Sequence, residues 1–87
     1  MDEELKRLRL YLFGGGRITV CESENVDLEV TYVGSYHIDR IERLGDGMTL
    51  TTSLRCTDFD TFAKEVHQRV RFADWRQIVD AAKGVQL

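Results

Sequence analysis

The sequence predicts an α+β fold, a five-stranded antiparallel β-meander followed by two C-terminal α-helices packed on one face of the sheet. Three observations carry this expectation. Apolar and polar residues alternate with period two over most of residues 6–55. The alternating runs are joined by short turns rich in glycine, serine and Asx residues, too short for parallel crossovers. From Cys56 onward the apolar period changes from two to about 3.6.

The elements follow in order. Residues 6–13 read as a strand, with Leu8, Leu10 and Leu12 on one face and Arg7, Arg9, Tyr11 and Phe13 on the other. Gly14, Gly15 and Gly16 then turn the chain as a hairpin. A phosphate-cradling loop needs a helix N-terminus directly after its glycines, whereas Ile18 and Val20 alternate with Arg17, Thr19 and Cys21 as a second strand, 17–22. Ser23-Glu24-Asn25 leads into a third strand, 26–33, ended by Gly34-Ser35. A fourth, 36–44, begins with Tyr36 and Ile38. Its alternation slips at Ile41 and Leu44, so a β-bulge is expected near Asp39-Arg40. Gly45-Asp46-Gly47 is a hairpin turn. The fifth strand, 48–55, points Met48, Leu50, Thr52 and Leu54 inward and Thr49, Thr51, Ser53 and Arg55 outward.

Two helices complete the chain, about 58–70 and 74–83. Thr57 and Asp58 are N-cap residues, and Asp60 adds charge to the first turn. Phe59, Phe62, Ala63, Val66 and Val70 form one apolar stripe; Trp75, Ile78, Val79 and Ala82 form another, closed by Lys83-Gly84. The stripes differ in phase, so a single helix would leave one in water. A break is therefore placed between Val70 and Asp74, with Asp74 capping or opening the second helix. The first strand lies near an edge unless Val85-Gln86-Leu87 pairs beside it. The chain has no proline to guard its sheet edges.

Bulk composition narrows the function classes. Eighty-seven residues form one domain, 1–87, whose core supplies roughly 3–5 kcal/mol, so a partner or a homodimer is a reasonable expectation. A net charge of −3 argues against a generic nucleic-acid binder. The opening MDEELKRLRL lacks the apolar stretch of a signal peptide, and no run is long enough to span a membrane. A cytoplasmic location with both cysteines free is the expectation.

Catalytic and metal chemistry find little support. Cys21, His37, Cys56 and His67 contain no pair spaced two to four residues apart, as structural zinc sites do. Neither a metal nor a cofactor is expected. Cys56 with His67 has no local signature of a nucleophilic pair, and His67 reads as exposed on its helix. Asp58 and Asp60 have a structural role at a helix start, and Glu22, Glu24, Asp27 and Glu29 gather about one hairpin as solvated charge or an acidic binding edge.

The outward sheet face carries the recognition chemistry. Arg7, Arg9, Tyr11, Phe13, Arg17 and Arg55, with Thr19, Cys21, Thr31, Val33 and Thr51, are expected to project from it together. Arginine with aromatic residues is the composition of an interface. The expected function is a non-catalytic protein-binding module, an inhibitor, adaptor or assembly factor, with Arg7, Arg9, Tyr11, Phe13, Arg17 and Arg55 as contacts. In size and charge it is comparable to phage-encoded antagonists of host systems such as anti-CRISPR proteins, an analogy that does not fix function. The alternatives are a nucleic-acid-binding sheet and a small enzyme using Cys56 or a carboxylate.

Overall fold

The computed structural model describes residues 2–87, and these begin with a helix where alternation predicts a strand. Helix α1 spans Glu3–Phe13. Asp2 is its N-cap, in extended conformation, and its side chain accepts the Leu5 N–H at 2.9 Å. Glu3 and Glu4 add negative charge to the first turn, where the helix dipole favours it. Leu5, Leu8 and Leu12, joined by Tyr11, make the stripe that meets the core, whereas Leu10 is 44% exposed. The predicted strand 6–13 is thus corrected to a helix. Its regular alternation came from polar residues standing beside a helical stripe.

The three glycines do turn the chain, but out of a helix. The Gly16 N–H donates to the Tyr11 carbonyl and the Gly15 N–H to that of Leu12, with Gly15 at φ 98°. This is a Schellman cap, which needs a residue at ease with positive φ.

Four strands follow: β1 (Ile18–Ser23), β2 (Val26–Tyr32), β3 (Tyr36–Gly45) and β4 (Met48–Cys56). They form one antiparallel sheet in the order β1-β2-β3-β4, so the sheet has four strands rather than five. The register aligns Ile18, Val30, Ile38 and Leu54 in one row facing the helices, and Val20, Leu28, Arg40 and Thr52 in the next. Pairing is continuous through Asp39 and Arg40. The register shifts lie instead at Cys21/Ser23 and at Arg43/Gly45, so the bulge expected mid-strand is displaced to the hairpin end. Ile41 keeps its parity and simply sits on the outer face.

Helix α2 (Phe59–Arg69) starts at Asp58, whose carboxylate accepts the Thr61 N–H at 2.9 Å. Helix α3 spans Phe72–Asp80. Val70 and Arg71 are extended between them, so the predicted break exists and falls slightly earlier than expected. Asp74 is neither the cap nor the first residue of α3; it lies within the first turn, 1% exposed. Residues 85–87 add no strand. The Val85 carbonyl instead accepts from Arg7 Nε at 3.1 Å.

All three helices cover one face of the sheet: α3 over β1, α1 over β2 and against α3, and α2 over β3 and β4. Leu8, Leu12, Phe62, Val66 and Ile78 meet Val20, Leu28, Val30 and Ile38 in a single core. Each such side chain contributes about 1.5–3 kcal/mol on burial. The helical layer is short, because 9–11 residues rise only about 14–17 Å. Ten residues of β3 extend about 33 Å. The distal part of the β3–β4 hairpin therefore projects past the helices, and the molecule measures 44 × 24 × 23 Å. Met48 and Leu50 have the inward parity the sequence predicts but no helix above them, and both are exposed, as is Leu44. No helix among the described residues is long and apolar enough to cross a membrane.

Candidate functional site

The helical α1 redistributes the predicted contact residues. Arg7, Arg9, Tyr11 and Phe13 stand in the helical layer and do not share the outer sheet face with Arg55. Arg7 is spent on structure, holding the Val85 carbonyl and lying 3.5 Å from Glu3. Tyr11 packs its ring against Gly16 and points its hydroxyl at the Arg17 carbonyl, 3.5 Å away. Arg17 pairs with Glu29 at 3.3 Å.

Arg9 and Phe13 are brought together. Four residues apart, they share one face of α1. The Phe13 ring is 64% exposed and lies 5.1 Å from that of Tyr32. Tyr32 is 4.7 Å from Tyr36, which meets Phe59 at 5.1 Å and Phe62 at 5.7 Å. A surface ring is thus fixed to the core through a continuous aromatic chain. Burial pushes the Tyr36 phenol above its ordinary pKa, Tyr32 adds to the rise, and the nearby Arg9 charge opposes it. Leu10 follows Arg9, and Val33, 72% exposed, follows Tyr32 at the β2–β3 turn. Arg9, Leu10 and Phe13 of α1, with Tyr32 beneath the Phe13 ring, form an arginine-edged apolar patch at this end of the sheet. Tyr32 and Leu10 were not in the sequence-based set. A helical reading from Asp2 onward would have placed Leu10 outside; the Tyr32 contact arises only from helix docking.

The outer sheet face is polar. Its rows run Thr19, Glu29, Asp39, Ser53 and Cys21, Asp27, Ile41, Thr51, then Thr31, His37, Arg55. Arg43 holds Asp27 at 2.9 Å and the Glu24 carbonyl at 2.7 Å, and on the opposite face Arg40 reaches Glu22 at 3.2 Å. The acidic 22–29 hairpin is therefore largely matched by cations.

Chemistry elsewhere is sparse. A groove of about 630 Å³ between the helices is lined by Leu5, Ala63, Phe72, Trp75 and Val79, with charged residues at its rim. There Arg76, through its hydrogen bond, holds the Glu4 carboxyl below its ordinary pKa. Ser35 Oγ and His37 Nε2 lie 2.8 Å apart, but they belong to a turn and the open sheet face, lining neither this groove nor the smaller one beneath β4. Cys21 is exposed, Cys56 is partly buried and both are free, and His67 is exposed with its ring against Trp75. Among the described residues no three His, Cys, Asp or Glu side chains gather as a metal site. Comparisons of the chain with protein families, with curated proteins and with solved structures found no match.

Proposed function

We propose that the protein is a non-catalytic binding module for another protein, acting as an inhibitor, adaptor or assembly factor, and that it uses the Arg9–Phe13 patch. The observation that carries this reading is the exposed Phe13 ring, fixed on Tyr32, with Arg9 and Leu10 exposed one helical turn before it on α1. A rigid aromatic side chain gives up little entropy on binding, and arginine can engage a carboxylate through two hydrogen bonds. An apolar, acid-edged surface on the partner matches this chemistry. A nucleic-acid reading is less supported, because Arg17 and Arg43 on the sheet face are already paired with Glu29 and Asp27.

The test is affinity capture from lysate with Arg9→Ala combined with Phe13→Ala. Anchors of this kind cost about 2 kcal/mol or more each, so capture should be lost while a cooperative melt persists. Lys64→Ala with Gln68→Ala, on exposed positions of α2, should keep the partner. Capture that survives the first pair and fails with the second would refute this surface. Capture of nucleic acid with a steep salt dependence would refute the protein-binding reading.

A further inference from the structure

The two edges of the sheet are built differently. β1 has six residues, a register shift at Cys21/Ser23 and a charged Glu22 whose main-chain carbonyl is taken by the Arg71 guanidinium. Short length, irregularity, charge and a bonded main chain are common guards against an added strand. β4 has none of these over most of its length. It runs nine residues, pairs with β3 without a shift from Thr49 to Cys56, and carries no charge before Arg55. Among the described residues, the strand order leaves its outer side without a neighbouring strand.

The residues of this edge also form a pattern that repeats in both directions. About Thr52, MTLTTSLRC places apolar Leu50 against Leu54, hydroxylated Thr51 against Ser53, polar Thr49 against Arg55, and Met48 against Cys56. An interface between identical chains about a twofold axis requires such a self-complementary surface. We propose that the protein forms a homodimer by antiparallel pairing of β4 with β4 of a second copy, making one eight-stranded sheet. No charge faces a like charge across this pairing, which would otherwise oppose it.

Side-chain direction supports the same partner. Met48, Leu50, Leu54 and Cys56 share the parity of Ile38's row, on the helix side. Leu54 and Cys56 pack partly against the core, while Met48 and Leu50 project uncovered on the hairpin arm. In the dimer, each arm lays Met48 and Leu50 beside Cys56 and Leu54 of the second copy. The apolar layer of each copy is thereby continued by the other. The guarded β1 edges remain outermost, so assembly stops at two. This surface is separate from the Arg9–Phe13 patch and does not rest on it.

Sedimentation velocity from micromolar to hundreds of micromolar protein tests the proposal. The wild type should approach twice the 10.1 kDa of one chain as concentration rises. Thr51 is exposed on the outer face, so Thr51→Lys and Thr51→Glu should each fold normally yet bring like charges together about the axis. Each should dimerise at least about tenfold more weakly, and mixing the two should restore a dimer. A wild type that stays monomeric throughout, or grows past two chains, overturns the proposal. So does a dimer that both substitutions leave intact, because it must use another surface.

Discussion

Arg71 grips both oxygens of the buried Asp74 carboxylate, with Nε 2.8 Å from Oδ2 and Nη2 3.2 Å from Oδ1. The same guanidinium reaches the Glu22 carbonyl, so one side chain joins the break between α2 and α3 to β1. Removing it strands a carboxylate that water cannot reach. Arg76 makes a comparable pair with Glu4, which is half exposed and can be solvated when its partner is lost. Thermal unfolding should therefore show a larger fall in midpoint for Arg71→Ala than for Arg76→Ala.

Three leucines of α1 make a second comparison. Leu8→Ala and Leu12→Ala remove fully buried side chains and should cost about 2–5 kcal/mol each, enough to unfold much of the population. Leu10→Ala should stay within about 0.5 kcal/mol of wild type. Chemical denaturation of the three variants distinguishes a helix from a strand here, since a strand would bury all three alike.

Gly16 has no room for a side chain. A Cβ there would approach the Tyr11 carbonyl oxygen to 2.6 Å as well as the Tyr11 ring. At Gly84 a Cβ would meet nothing within 4 Å, and the backbone is not in the positive-φ region. Gly16→Ala should lower the melting temperature clearly, and Gly84→Ala should leave it close to wild type.

Acid should weaken the fold through its paired carboxylates. The Thr61 main-chain N–H, helped by the Thr61 hydroxyl, holds Asp58 below its ordinary 3.8, and Arg76 holds Glu4 below 4.5. A carboxylate with a lowered folded pKa stabilises fully above its unfolded value and loses that contribution as pH falls through the folded one. The midpoint should therefore decline modestly below about pH 4, both groups being exposed. Asp58→Asn keeps the cap acceptor and removes the titration, so its acid decline should be shallower in a melt series from neutral to acidic pH.

The strands after Gly16 and the phase change between α2 and α3 were legible because each rests on local pattern. Residues 6–13 misled for a physical reason. RLRLYLF satisfies both periods, and the decisive signals lay just upstream in Asp2, the acidic first turn and Leu5. Correct parity likewise placed Met48 and Leu50 on the helix side, but parity says nothing about how far a helical layer reaches. The candidate patch is half visible in the sequence. The chemistry of Arg9 and Phe13 stands out in the sequence, while the meeting of Phe13 with Tyr32 depends on how α1 docks across the sheet.

That docking also sets an order of events during synthesis. Helix α1 packs against α3 and bonds to Arg76 and Val85, partners 72 and 78 residues further along the chain. At ordinary elongation rates those residues follow on the order of 4 to 16 seconds later. Until then Leu8 and Leu12 lack part of the surface that buries them, and an isolated eleven-residue helix is marginal in water. A segment synthesised before the rest of this fold is thus among the last to settle, and the nascent chain offers a sticky leucine stripe to any waiting chaperone.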